Sequence, residues 1–342
     1  MSTPLFIKAC RGKAVARTPV WIMRQAGRYQ PSYRALRRRY DFMSLCKEPE
    51  LSARVTLRAV ADLAVDAAII FSDILVPVEA MGVPVEFTEK KGPVLTRPVR
   101  TARDVSRLSV PEPAEAMPFT GEAMRLIRER LDPEVALIGF SGAPWTLASY
   151  MVEGSGSKNY IVIKSMMFQR PDIFHDLMKK ITAMVIRYLT FQVEAGAQVV
   201  QLFDSWAGAL SPRDYRTFAA PYSAKIIKAV KKTGVPVIHF VHNGGGVLEI
   251  VKETGPDVVG LDWRVDIDVA RKRLGRGTAV QGNLDPCALF LPEKEIRRRT
   301  REILRANGGR KGHIFNLGHG ILPPTKVAAA QAMVDEVHRF RL

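Results

Sequence analysis

The stretch VPVIHFVHNGGG, residues 235–246, decides the fold. Its first half is a short apolar, β-branched run of the kind that makes a buried strand. Its second half turns polar at His242 and Asn243 and then supplies Gly244, Gly245 and Gly246. The same kind of run recurs along the chain. Before it come PVWIM (19–23), AAIIF (67–71), VALIGF (135–140) and QVVQLF (198–203), and after it DVVGL (257–261), TAVQ (278–281) and HIFNL (313–317). Strands that are apolar throughout are buried on both faces, the condition of a parallel sheet covered by helices.

The segments between these runs carry helical periodicity and helix punctuation. Residues 50–64 place Leu51, Val55, Leu57 and Leu63 among charged residues, and 171–195 runs into Gly196, a residue suited to a helix C-terminus. Ser211-Pro212 opens a helix, with serine as N-cap and proline at the first position. Eight such strands alternating with helices predict an α/β fold, the (β/α)₈ TIM barrel. No linker-like shift in composition divides the chain, so one domain over 1–342 is expected. Within it, PVEFTEKKGPVLTRPV (84–99) reads as a hairpin inserted after the second strand, with Lys91-Gly92 near its turn.

Composition narrows the class. Hydrophobic residues make up 47% and charged residues 25%, a globular balance that argues against disorder. No uninterrupted apolar run approaches the roughly 18 residues that span a bilayer. Lys8, Arg11 and Lys13 break any signal-like core at the start. Cys10, Cys46 and Cys287 are odd in number and widely spaced, which is no disulfide framework. A cytoplasmic protein without a membrane partner is the expectation. The net charge of +17, from 51 basic and 34 acidic residues, fits nucleic acid, an anionic surface or an acidic small molecule. Much of it reads as solvated surface, as around Lys231 and at Arg297 to Arg299. The exception is the cluster Arg24, Arg28, Arg34, Arg37, Arg38 and Arg39, which begins at a strand end.

In a barrel of this kind the chemistry sits where strands end at their C-terminal side. Those positions are polar here: Arg24 and Gln25, Ser72 and Asp73, Ser141, Asp204 and Ser205, His242 and Asn243, Asp262, Asn283 and Asp285, and His319. Arginines dominate over paired carboxylates. Arg24 and Arg28, four residues apart around Gly27, each offer a planar fork for a carboxylate, or else pair with Asp41 or Asp62. Asp73 either accepts N–H donors and stabilises developing positive charge, or forms a salt bridge to Arg24 or Arg28. His319 lies between glycines, which suggests contact with a bound molecule. Tyr150 follows GAPWTLAS in the first turns of a helix, where ordinary packing is the alternative. Ser205, in DSWAG, lacks the glycines of a nucleophile elbow. His239 and His242 are three apart on one strand run and cannot share a metal readily, and neither CxxC nor HExxH occurs, so no metal or organic cofactor is expected.

PVWIMRQAGRYQPSYRALR (19–37) resembles the N-terminal signature of the uroporphyrinogen decarboxylase family. IIFSDILVPVEAMG (69–82), GFSGAPWTLASYMVEGSGS (139–157), QLFDSWAG (201–208), QGNLDP (281–286) and NLGHGILPPT (316–325) are similar to that family in the same order. The resemblance implies a homodimeric TIM barrel that needs no metal or cofactor. It implies conversion of the four acetates of uroporphyrinogen III to methyls, giving coproporphyrinogen III and four CO₂ in haem synthesis. By position it places substrate contacts on Arg24, Gln25, Ala26, Gly27 and Arg28, then on Asp73, Tyr150, Ser205 and His319. It places catalysis on Asp73, Arg24 and Arg37, with the two arginines as candidates for proton transfer. An eight-carboxylate substrate suits a cleft of arginines, and the macrocycle's central N–H groups suit Asp73.

The chain departs from the family at Ser32, where an acid often follows the proline, a change at a local ion pair that touches none of the carried-over contacts. Two rivals are weaker. A corrinoid-dependent methyltransferase of similar fold would need a His-x-Cys zinc pattern, and the comparable stretch here is His239-Phe240-Val241. A nucleic-acid-binding protein would need cations interleaved with aromatics. Aromatic content is only 8% and no such motif occurs, so no nucleic acid partner is expected.

Overall fold

A computed structural model describes residues 3–88 and 92–341. Seven parallel strands lie side by side in one curled sheet: β1 (Ala67–Ile69), β4 (Ala136–Gly142), β5 (Val199–Asp204), β6 (Val237–Val241), β7 (Val258–Gly260), β8 (Ala279–Gln281) and β9 (His313–Ile314). Between β1 and β4 the antiparallel pair β2 (Val85–Thr88) and β3 (Gly92–Leu95) stands apart as its own two-stranded sheet. These are the arms of the expected hairpin, and its turn at Lys91 lies outside the described residues. No described helix is long and apolar enough to cross a membrane, and all three cysteines are free.

The expected first strand, 19–23, is the eighth stave of the barrel but not a regular strand. Val20 bridges in parallel to Phe315, the Phe315 amide donates to Pro19 at 2.8 Å, and the Asp66 amide donates to Val20 at 2.8 Å. The segment therefore closes the gap between β9 and β1. The Trp21 amide continues the ladder to Phe315 O at 3.3 Å, while its neighbours turn to side-chain oxygens: Val20 to Asp66 Oδ2 (2.8 Å), Ile22 to Gln25 Oε1 (3.4 Å) and Met23 to Asn316 Oδ1 (3.0 Å). Side-chain acceptors take over beyond this short ladder, so the pattern of an apolar strand survives while the regular strand shrinks to a single bridge.

Inside the barrel Trp21, Phe240, Ile138 and Val258 fill the interior as close-packed residues, all fully or nearly fully buried. Trp21 Nε1 donates to Gln281 Oε1 at 2.8 Å, and Gln281 Nε2 donates to Gln201 Oε1 at 3.1 Å, which ties three staves through the centre. Outside, the 24-residue helix Pro171–Glu194 buries Phe174, Leu177, Ile181 and Val185 against the sheet side. Each such side chain contributes about 1.5–3 kcal/mol. Gln192 on this helix exchanges two hydrogen bonds with the backbone of Phe140, at 2.8 and 2.9 Å, and so fixes a residue that faces the barrel mouth. A Cβ on Gly139 would lie 2.6 Å from Gln192 Oε1, which explains the small residue next door.

Asp66 is the closing clamp. Its carboxylate accepts two bonds from Arg17 (2.8 and 2.6 Å), one from the Val20 amide and one from His338 Nε2 (3.1 Å) on the last helix. Burial alone would raise its pKa, but His338, Arg17 and the Val20 amide outweigh burial and lower it. A carboxyl with a depressed folded pKa contributes stability that is full above its unfolded value, here 3.8, and is lost as pH falls through the folded value. Asp66→Asn is expected to cost about 2 kcal/mol in urea unfolding near neutral pH, where a charge-assisted cluster is lost. The difference from wild type should shrink as the buffer is taken below about pH 4. An unfolding midpoint unchanged at neutral pH would mean that the clamp does not hold the barrel closed.

Candidate functional site

A cavity of about 380 Å³ opens at the C-terminal ends of the strands. One wall is the segment that follows the eighth stave. Gln25 N donates to Ile22 O at 2.8 Å, which turns the chain, and Arg24 takes φ +62°, a left-handed backbone that costs a non-glycine residue roughly 1–2 kcal/mol. The turn is held from behind. Tyr29 Oη donates to Gln25 O (2.6 Å), and Arg34 Nη1 donates to the carbonyls of Arg28 (2.8 Å) and Tyr29 (2.9 Å). Arg24 and Arg28 stay exposed at the mouth. Neither pairs with Asp41 or Asp62: Asp41 caps the helix Phe42–Lys47 through Ser44, and Asp62 pairs with Arg58. Gln25 lines the same wall but is fully buried, its Nε2 donating to Ala67 O at 3.3 Å.

Asp73 follows β1. Ser52 and Thr56, on the helix Pro49–Leu63, bond the backbone of Phe71 at 2.7 and 2.9 Å, ending the strand and leading the chain into the cavity. Asp73 Oδ1 accepts from the Leu75 amide at 2.9 Å and forms no ion pair among the described residues. Its carboxyl is pushed up to about 6, by burial first, against the lowering effects of the Leu75 amide and of Arg24.

Tyr150, on the helix Pro144–Glu153, lies with its ring centroid 4.0 Å from that of Trp206. Burial, and secondarily Asp73, push the phenol well up, so it remains a neutral donor. Trp206 is itself placed by Thr146, whose hydroxyl accepts from the Trp206 amide (3.2 Å) and donates to the buried Asp204 (2.7 Å). Burial lifts the Asp204 carboxyl to about 7. Ser205 stands between these two positioned residues and lines the cavity.

His319 closes the far side, with its ring 4.6 Å from that of His242. Burial, then Arg24, His242 and Arg264, depress it to about 3, so it is neutral at physiological pH. The two glycines beside it answer packing rather than ligand approach. A Cβ on Gly318 would lie 2.4 Å from the Trp263 amide, and one on Gly320 would lie 2.4 Å from Arg24 Cδ. Behind His319, His242 Nε2 receives Arg264 Nη1 at 3.1 Å, and Asp262 holds Arg264 and the Asn243 amide. Asn283 donates to the carbonyls of Asp262 (2.8 Å) and Val265 (2.6 Å), so Asn243, Asp262 and Asn283 bind loop to loop.

The structure thus gathers Arg24, Gln25, Ala26, Gly27 and Arg28 with Asp73, Tyr150, Ser205 and His319 around one cavity. Arg37 does not line it. It donates to Tyr40 O at 2.7 Å and lies beside Tyr33, which does line it. What sequence reasoning missed is the apolar wall: Ile69, Phe140, Phe203, Ile321, Leu322 and Pro323. Only the last residues of the strand runs hinted at it, because periodicity does not separate a strand end facing the mouth from one facing the helices. Among the described residues no group of three or more His, Cys, Asp and Glu side chains is arranged to hold a metal, and His239 is buried against Thr254.

A family model of uroporphyrinogen decarboxylases matches residues 1–340. The chain is 55% identical over 333 residues to a uroporphyrinogen decarboxylase of Myxococcus xanthus, covering 97% of this chain and 95% of that one. It is 52% identical over 335 residues to the enzyme of that name from Carboxydothermus hydrogenoformans, with coverages of 98% and 96%. A solved methyltransferase from Methanosarcina mazei shares the fold, with a TM-score of 0.81, 22% identity and coverages of 98% and 99%.

The electrostatics of the cavity are open to direct measurement by NMR titration. The Asp73 carboxyl carbon is expected to titrate near 6, and Arg24→Gln to move it higher, because a cation favouring the carboxylate is gone. The His319 ring signals should show no inflection above about pH 5. An Asp73 titration at the ordinary carboxylate value would remove the buried character assigned to it.

Proposed function

The chain belongs to the uroporphyrinogen decarboxylase family, and from that premise we propose that this cavity decarboxylates the acetate side chains of uroporphyrinogen III, giving coproporphyrinogen III and four CO₂. The single observation that carries the reading is Asp73, a carboxylate with no ion-pair partner among the described residues, in a cavity whose other charged lining residues among those described are Arg24 and Arg28. The macrocycle turns pyrrole N–H donors to its centre and carboxylates to its rim. Asp73 accepts from the first, and Arg24 and Arg28 hold the second through forked, charge-assisted bonds.

The reaction needs no external redox partner. A proton adds to a pyrrole carbon next to the acetate, leaving a cationic ring. The carbon–carbon bond to the carboxylate then breaks, CO₂ leaves, and the bond's electrons neutralise the ring. The exocyclic methylene so formed takes a proton to become methyl, and the ring carbon releases the one it gained. The net change is one proton consumed and one CO₂ formed per acetate. Asp73 stabilises the cationic ring, a role in which losing one preorganised group costs about 2.7–4 kcal/mol. The apolar wall at Phe140, Phe203 and Ile321 favours the step in which a carboxylate loses its charge. An acetate held by arginine keeps that charge, so Arg28 is assigned to carboxylates that are not reacting. Neutral His319, Tyr150 and Ser205 orient the rim, while Gln25, Ala26 and Gly27 shape it. Proton delivery is assigned to Arg24 or to Arg37, which reaches the cavity through its contact with Tyr33.

The same reading includes a homodimer without nucleic acid or cofactor. It is supported by an apolar surface that a second copy would cover, where Ile161 and Phe168 are 66% and 60% exposed. Sedimentation of the purified chain at twice the monomer mass is the expected result.

Asp73→Asn should abolish stepwise carboxylate loss, followed by chromatography of oxidised products after anaerobic incubation with uroporphyrinogen. In wild type, kcat/KM should fall below about pH 6, where free Asp73 becomes protonated. The folded state holds this proton more tightly than the unfolded state, so stability declines as pH rises through the window from 3.8 to about 6. Asp73→Asn should therefore raise the melting temperature at neutral pH while removing activity. Turnover that survives the substitution would take Asp73 out of the mechanism. Gly320→Ala is expected to push aside the flexible Arg24 side chain, lowering kcat/KM about tenfold or more with little change in melting temperature. Unchanged kinetics in that variant would mean that Arg24 is not held in its working position by this contact.

A further inference from the structure

Four arginines of the N-terminal cluster line two cavities that share Tyr33, Arg24 and Arg28 the first and Arg38 and Arg39 the second. The second cavity, about 430 Å³, lies between the helices Pro31–Arg37 and Pro49–Leu63 and is lined by Arg38, Arg39, Arg54 and Arg58. Arg58 is paired with Asp62 at 2.8 Å. Arg38, Arg39 and Arg54 have no ion-pair partner among the described residues. Glu50, in the adjoining depression, is held by Arg130 at 2.8 Å and is also drawn to Arg54. The hollow is thus lined by four arginines together with polar Gln30 and Ser32 and apolar Tyr33, Ala35, Leu36 and Val55.

We infer that this hollow is a docking site for a tetrapyrrole polycarboxylate, outside the barrel mouth. The identity of the ligand rests on the decarboxylase reading, and the existence of the site on the hollow itself. Several arginines lining one hollow together with apolar side chains fit a broad body with carboxylates on its rim better than a compact oxyanion, which needs converging donors and no apolar area. The hollow is also joined to the mouth. Gln30 Oε1 accepts from the Gly27 amide (3.2 Å), and Gln30 Nε2 donates to Asp62 (3.3 Å), the partner of Arg58. A polyanion caught on this face is held beside the segment that carries Arg24 and Arg28. Such a site raises the rate of capture at low ionic strength and leaves the chemical step alone.

The test titrates the full chain with uroporphyrin III, the planar octacarboxylate that cannot be decarboxylated by ring protonation in the same way, at about 20 mM and about 500 mM salt. Wild type should bind two porphyrins per chain at low salt and one at high salt. Arg38→Glu combined with Arg54→Glu should bind one at either salt. With uroporphyrinogen as substrate, that variant should keep kcat within about twofold and lose about tenfold in kcat/KM at low salt only. If the charge reversal disturbs folding, judged by circular dichroism, Arg38→Gln with Arg54→Gln carries the same expectation in weaker form. Pyrophosphate serves as competitor. Displacement of the second porphyrin by pyrophosphate at lower concentration than by free uroporphyrin would assign the hollow to phosphate and overturn the inference. One porphyrin per wild-type chain, or an unchanged salt dependence in the variant, would also overturn it. Wild-type turnover is measured in the same preparation. A chain that turns over but binds one porphyrin loses this inference alone, and a chain that binds two without turnover loses the decarboxylase reading.

Discussion

A barrel is stable only if its last stave meets its first, and here a short backbone ladder at Val20 and Phe315 is completed by one buried carboxylate. Asp66 gathers Arg17, the Val20 amide and His338, so one side chain at the start of β1 holds the N-terminal stave and the last helix together. Closure removes the two open sheet edges that β1 and β9 would otherwise present. It also fixes the functional site, because Arg24 to Arg28 leave directly from the stave that Asp66 holds. The mouth therefore inherits its geometry from the least regular strand of the barrel, and Asn316 and Gln25 supply the acceptors that a neighbouring strand would have given.

The cavity is built from opposed electrostatic demands. Arg24 and Arg28 remain in contact with water, where cations are cheap to keep. Asp73 is withdrawn from water, and its carboxyl titrates near 6 because burial outweighs the Leu75 amide and Arg24. His319 is kept neutral by burial and by the cations around it. The result is a mouth that attracts anions at its rim and holds a single carboxylate at depth. Apolar side chains between the two exclude water, and Gln192 and Asp204 work from outside the cavity to keep Phe140 and Trp206 in place.

The six clustered arginines show how one sequence feature divides into separate tasks. Arg24 and Arg28 face the cavity, and Arg34 staples the carbonyls behind them. Arg37 binds the Tyr40 carbonyl, while Arg38 and Arg39 face the second hollow. Their spacing in the chain announces a cationic patch but not this division, because each side chain's direction is set by the turn at Arg24 and by the helix Pro31–Arg37 that follows.

The sequence by itself determined the alternation of apolar strands and amphipathic helices, and hence the α/β barrel, because burial on both faces leaves a run such as VPVIHF no polar alternation. It also marked the polar strand ends, from Arg24 to His319, because polar residues and glycines interrupt apolar runs only where the chain leaves the core. Tertiary structure alone decided that residues 19–23 close the barrel with side-chain acceptors added to a short ladder, since Asp66 and Asn316 are distant in sequence. It alone decided why Gly318 and Gly320 flank His319, since the Trp263 backbone and the Arg24 side chain reach them only through the fold. The direction of the cavity's apolar wall was likewise decided only by the fold. A phenylalanine at a strand end is the same residue whether it faces helix or mouth, and only the closed barrel gives it a direction.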